Sequence, residues 1–286
     1  MTDIAILILN TTSYILILVL VALGLVVVFG MMGVINMAHG ELFMLGAYTV
    51  VVAGQMGLPF WLGALLAPLF VGAVGLLIEW MLIRHIYRRT LDTILATWGL
   101  SIVLKQAVVL FYGPSSQSVT VPIAGAVAIG DFSYPIYRLL LMTMAVMLIA
   151  GMLWLFLRSD FGLKARAVMA RPDTAACLGI DTRAMYRRTF VIGAALAGFA
   201  GAIVAPLISV DPSMGLGYLI PGFISIMVGG AGALSGVLLG GGLVGATNNL
   251  LTVWLSPVLA QIAVFLLAII IIRLRPSGLM GGRHGT

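Results

Sequence analysis

Apolar residues fall in long blocks along the chain, and polar residues gather in the short gaps between them. Runs near 4–30, 41–57, 59–83, 93–112, 136–157, 189–208, 218–231, 235–255 and 258–273 carry almost no charge. A helix that crosses a bilayer needs about 20 such residues. The pattern therefore predicts an all-α polytopic membrane protein with eight to ten transmembrane helices in a single domain over 1–286. The first run continues to about Phe29 and has no basic lead, so it is read as a span and not as a cleavable signal.

Two interruptions have an unusual composition. Gly30 to Glu41 breaks an apolar run with Gly30, Gly33, Asn36, His39, Gly40 and Glu41. Gly229 to Gly236 breaks another with four glycines and Ser235. Discontinuous helices at matching places in two halves are the sequence sign of an inverted-repeat transporter, and such a repeat is expected here. Small residues at four-residue spacing (Gly193, Ala197, Gly201 and Gly232, Gly236, Gly240) predict helix faces that approach closely.

Composition narrows the class. The chain is 62% hydrophobic and 8% charged, with a mean hydropathy of +1.19, against about 25% charged in a soluble domain. Its net charge is +6. Thirteen of the 15 basic residues lie in three segments. The first holds Arg84, Arg88 and Arg89; the second, 158–188, holds Arg158, Lys164, Arg166, Arg171, Arg183, Arg187 and Arg188; the tail holds Arg273, Arg275 and Arg283. This clustering follows the positive-inside rule and does not indicate nucleic acid. It places the three segments in the cytoplasm, and the N-terminus, the loop 113–135 (whose one charge is Asp131) and the turn at Asp211-Pro212 outside. Cys177 is alone, so no disulfide framework and no cysteine-rich metal site is expected.

Candidate chemistry is sparse. No phosphate-binding G-x-x-x-x-G-K-[ST] occurs, nor a haem, zinc-protease or serine-hydrolase motif. No cofactor, metal or catalytic residue is expected. His39 and Glu41 form the nearest approach to an acid/base pair, but spacing alone brings no further group to them. Glu79 and Lys105 lie within or near apolar runs; Glu79 is about a turn from Arg84, and Lys105 can extend to an interface. An ion-coupled carrier would want more buried carboxylates than these. Segment 158–188 carries seven basic and three acidic residues. Pro172 suits a first helical position, Asp173 a helix N-terminus and Gly179 a C-terminal stop. A short cytoplasmic helix of that kind suits docking on a soluble partner, and equally a solvated loop that sets orientation.

The stretch Gly33-Val34-Ile35-Asn36-Met37-Ala38-His39-Gly40-Glu41-Leu42-Phe43-Met44-Leu45-Gly46-Ala47-Tyr48 resembles the signature of membrane permease subunits of branched-chain amino-acid ABC importers. The loop Gly162 to Asp181, the run Thr189 to Ala195, the stretch Val228 to Gly232 and the ending Arg275 to Leu279 resemble the same family in the same order. The resemblance implies a bacterial inner-membrane subunit, not itself an enzyme. It would work with a second homologous permease, two cytoplasmic ATPase subunits and a periplasmic substrate-binding protein. It also implies that Pro172 to Gly179 couples to the ATPase, which makes Arg171, Pro172, Asp173, Ala175, Ala176 and Gly179 the coupling candidates. The general coupling motif of ABC importers places a glycine four residues after its second alanine. Here Gly179 follows Ala176 by three, so contacts do not transfer one by one.

Leu91 to Ser101 and Ala175 to Gly179 are similar to urea-type members, so urea or a short amide is the alternative ligand. For the translocation path the candidates are Asn36, His39 and Glu41, with Thr97 and Asn248 beside them. Against a path role, Asn36 or His39 would cap a broken helix, and Glu41 would sit at the cytoplasmic surface. A self-sufficient ion-coupled carrier and a subunit serving only assembly are the competing classes.

Overall fold

A computed structural model of the chain describes residues 2–87, 89–129, 132–230, 232 and 234–280. Arg88, Asp131 and Arg283, used above to orient the chain, lie outside the described residues, as do Ala231 and Ala233. In chain order the elements are α1 (Thr2–Met32), α2 (His39–Gln55), α3 (Phe60–Met81), a 3-10 turn (Ile83–His85; a second covers Ala205–Leu207) and α4 (Thr90–Tyr112), then a two-stranded hairpin, β1 (Ala126–Ile129) and β2 (Phe132–Pro135). There follow α5 (Ile136–Arg158), α6 (Asp160–Ala170), α7 (Pro172–Cys177), α8 (Thr182–Val204), α9 (Met214–Gly229), α10 (Leu234–Trp254) and α11 (Pro257–Leu274).

Among the described residues seven helices are long and apolar enough to cross a membrane: 4–32, 60–85, 91–112, 136–158, 182–207, 234–254 and 257–274. Full-length helices alone thus do not reach the expected eight to ten. Two shorter helices, α2 with 17 residues and α9 with 16, complete the bundle. The chain is therefore an all-α polytopic membrane protein.

α1 is the axis. Leu18 to Leu23 are at most 2% exposed, because α8, α9, α10 and α5 all pack around this helix. Such burial on every side explains why α1 is apolar all round, a pattern that gives no face away in the sequence. α3 lies along α8, and α2 is enclosed by α3, α8 and α9. α4 and α11 form the rim, where Leu91, Leu95, Leu110, Phe111, Ile269 and Leu274 are exposed. In a bilayer those side chains meet lipid or a neighbouring subunit.

Glycine permits the closest approaches. Gly193, Ala197 and Gly201 share α8 as the spacing predicts, but serve two partners: Gly193 packs on Gly24 of α1, and Gly201 on the Phe43 carbonyl of α2. The second stripe is corrected in part. Gly236 and Gly240 lie on α10 against Gly229 and Ser225 of α9, whereas Gly232 precedes the helix with φ +107°. That left-handed conformation suits glycine and takes Gly232 off the helix face.

Both expected discontinuities are present. After Met32 the chain turns at Gly33 (φ 63°) and re-enters helix at His39. After Gly229 it turns at Gly230 (φ 113°) and resumes at Leu234. The end of α9 is closed from a distance, since the Leu279 and Met280 N–H groups donate to the Val228 and Gly229 carbonyls at 2.9 and 3.0 Å. These are carbonyls that the last turn of a helix cannot satisfy itself.

Candidate translocation and coupling sites

The first break is built by three polar residues that are nearly inaccessible: Asn36 is 1%, His39 0% and Glu41 2% exposed. The Asn36 side-chain oxygen accepts from the Ala38 N–H at 3.1 Å, a local turn that ends the excursion and starts α2. His39 lies against the middle of α1, and its Nε2 donates to the Val21 carbonyl at 3.2 Å. A carbonyl only accepts, so Nε2 carries the hydrogen and Nδ1 is left as an acceptor in the neutral ring. The Ser101 hydroxyl donates to Glu41 Oε1 at 2.8 Å. Glu41 is therefore enclosed within the bundle and not on the surface of the protein.

α4 supplies the other wall. Thr93, Thr97 and Ser101 are buried, each four residues from the next, on a helix that otherwise exposes apolar side chains. Thr97 Oγ1 accepts from the Met37 N–H at 3.1 Å and is within reach of the Thr93 carbonyl at 2.7 Å. One side chain thus ties the irregular backbone to α4. Ser101 and Thr93 were not among the residues singled out from the sequence. Their signal was the series Thr93, Thr97, Ser101, Lys105, a polar stripe at helical period. Replacing Thr97 by valine keeps the shape and removes the acceptor for a part-buried N–H, at a cost of about 1 kcal/mol. The expected result is a lower unfolding midpoint in mild detergent for Thr97→Val, with Thr97→Ser near wild type.

Asn36 Nδ2, His39 Nδ1 and Glu41 Oε2 are buried without a hydrogen-bond partner among the described residues. One turn beyond Glu41 and Ser101, the surroundings become apolar. A cavity of about 560 Å³ opens between α2, α3 and α4, lined among others by Leu45, Tyr48, Phe70, Leu104, Val108 and Tyr112. The break and the cavity share α2 and α4, with Leu45 one turn after Glu41 and Leu104 about one turn after Ser101, but the three buried polar atoms do not line the cavity.

The structure brings four of the five path candidates together and separates the fifth. Asn248 lies on α10, where its Nδ2 donates to the Tyr14 hydroxyl at 2.9 Å, and the neighbouring Asn249 donates to Thr11 at 2.7 Å. These bonds lock α10 to the N-terminal half of α1. Glu79, 4% exposed, accepts from the Tyr87 hydroxyl beyond the end of α3. Burial, and then Glu79 itself, push the Tyr87 hydroxyl well above its ordinary range, so it remains a donor. Among the described residues no three His, Cys, Asp or Glu converge as metal ligands.

Within the basic segment 158–188, α7 forms where Pro172, Asp173 and Gly179 place it. Pro172 opens it and Gly179 (φ 83°) ends it. Ser159 caps α6 through the Gly162 N–H, and Asp181 caps α8 through the Ala184 N–H at 2.9 Å. Ala175 is buried at 2%, while Arg171, Asp173, Ala176 and Gly179 are exposed and Leu178 is 76% exposed. α7 is thus seated on one small residue and offers the rest of its surface outward.

The model of the family described as the permease component of the branched-chain amino acid transport system matches residues 7–274. The chain belongs to that family. This permease is 31% identical over 278 residues to the high-affinity branched-chain amino acid transport system permease protein LivH of Escherichia coli K12, covering 92% of this chain and 90% of the relative. It is 29% identical to the BraD protein of Pseudomonas aeruginosa, a permease of the same description, over 92% and 91% of the two chains. It is also 29% identical to a probable LivH of Methanocaldococcus jannaschii, over 84% and 78%. No solved structure matches it. The permease is a transport component of a multi-pass type, which sets aside the enzymatic readings.

Proposed function

We propose that this chain is the membrane permease subunit of an ATP-driven importer of branched-chain amino acids in a bacterial inner membrane. It would act with a second homologous permease, two cytoplasmic ATPases and a periplasmic binding protein. The observation that carries the reading is the likeness, over nine-tenths of both chains, to permeases named for that transport. The chamber fits the ligand class, since a branched-chain amino acid pairs polar ends with an apolar side chain. Asn36, His39 and Glu41 would meet the polar end, and the apolar cavity between α2, α3 and α4 the other. Thr97 holds that wall in place, and Asn248 would affect the path only through α1.

ATP binding in the partners would move α7, and α6 and α8 on either side of it would carry the motion into the bundle. The transported ligand cannot drive this alone, since it shifts an equilibrium only by its differential affinity for the two states. The inverted repeat is part of the proposal, and it relates other elements than the two breaks. Inversion carries equivalent segments to opposite membrane faces, whereas Gly30 here lies beside Gly232.

The deciding experiment is uptake of radiolabelled leucine and urea into proteoliposomes, with this chain alone and with its candidate partners. ATP-dependent leucine uptake by the full set alone is the expected result. Urea uptake would move the ligand to the alternative class, and gradient-driven uptake by the chain alone would overturn the importer. In the full set Leu178→Asp, at a 76% exposed position on the docking face, is expected to lower uptake and ATPase stimulation together while the subunit still accumulates.

A further inference from the structure

At the cytoplasmic end of α3, a cavity of about 340 Å³ is lined by Arg84, His85, Arg183 and Arg187 together with Glu79 and Tyr87. The basic groups come from two elements. Arg84 and His85 follow α3, and Arg183 and Arg187 stand one turn apart on α8. Three guanidinium groups and an imidazole thus face one carboxylate, and that carboxylate already accepts from Tyr87. The cavity is therefore an electropositive recess. Trp80 forms its wall on the membrane side, with the Arg84 guanidinium 4.9 Å from the ring centre.

A second hollow, of about 550 Å³, starts at the same two residues. Trp80 and Arg187 line both, and from them the second runs along α3 past Ala73, Leu76 and Leu77. Leu76 and Leu77 are exposed. The pair of cavities is amphipathic in the direction expected at an interface. A basic recess lies at the end of the span, an apolar groove runs one to two turns into it, and a tryptophan stands at the junction.

We propose that this place holds an anionic glycerophospholipid, with its phosphate against Arg84, Arg183 and Arg187 and one acyl chain along Ala73, Leu76 and Leu77. Arginine suits the task because its planar fork donates two hydrogen bonds to phosphate oxygens. Basic pockets between helices on the cytoplasmic side attract such headgroups, and anionic lipid is abundant in that leaflet. A zwitterionic lipid brings a cation to the same recess and gains less. A free phosphate has no use for the groove. The site is independent of the path, so it stands whichever ligand the permease carries.

The test uses the purified full-length chain in dodecyl maltoside. It is titrated with dioleoyl phosphatidylglycerol, dioleoyl phosphatidylcholine or inorganic phosphate, and binding is read by native mass spectrometry. Phosphatidylglycerol is expected to bind about tenfold or more tightly than phosphatidylcholine, a preference that Arg183→Gln with Arg187→Gln removes. The paired lysine variant keeps part of it, and Arg273→Gln, which deletes an exposed charge on α11, keeps it all. Ala73→Trp fills the groove without touching charge and is expected to weaken the lipid while sparing inorganic phosphate. Equal binding of the two lipids would overturn the proposal, as would an equal loss in Arg273→Gln. Full competition by inorganic phosphate with Ala73→Trp unaffected would also overturn it, by assigning the recess to a soluble anion.

Discussion

A Gly201→Val subunit is expected not to accumulate as a folded protein in the membrane. Gly201 lies where α8 crosses α2, and a Cβ built on it would fall on the Phe43 carbonyl oxygen, with the Ala47 nitrogen 3.2 Å away. The obstacle is backbone on both sides, so no rotamer relieves it. The helices must separate, and the facing pair Gly46 and Gly198 would part with them. Overpacking a closed core costs about 1–3 kcal/mol when side chains can shift, and more when they cannot. In lipid the loss is not recovered, because helix association there depends on close van der Waals fit. Membrane yield and gel-filtration profile measure this directly. Gly151→Val is the matched control, since nothing lies within 4 Å of a Cβ there. A well-folded Gly201→Val protein would show that α2 can leave α8 without collapse.

The second large effect falls on transport. Glu41→Ala removes the acceptor for the Ser101 hydroxyl and a second buried carboxylate oxygen, Oε2, that has no hydrogen-bond partner among the described residues. In the reconstituted complex, leucine uptake is expected to fall by about tenfold or more, the equivalent of losing one charge-assisted hydrogen bond. Glu41→Gln keeps an acceptor for Ser101, so it should restore membrane level and part of the rate. Uptake that survives Glu41→Ala at normal subunit level would move the path away from the break, toward the polar bonds between α1 and α10.

These residues also show how far the sequence could be read. Asn36, His39 and Glu41 were visible because polar side chains in an apolar run are costly at membrane depth and therefore stand out. α7 was visible because its start and stop signals lie within eight residues. Thr93 and Ser101 were legible in principle, by period, but a hydroxyl in a membrane helix can bond its own backbone and so gives a weak signal. Asn248 was a different case: its partner Tyr14 is 234 positions away, and no local pattern encodes such a distance. Gly232 counted as part of a stripe because spacing reports faces only within a helix, and the helix begins two residues later. The hairpin of β1 and β2 lay inside a segment read only as an external loop.

The tail contact at the end of α9 has a consequence for biogenesis. The carbonyls of Val228 and Gly229 are completed by Leu279 and Met280, about fifty residues later in synthesis. α9 therefore cannot be finished while it is being made. It must wait in the bilayer with its last turn open until α10 and α11 have been inserted and residue 280 has cleared the ribosome. A chain interrupted after α11 would therefore hold all the described spans and still leave the last turn of α9 open.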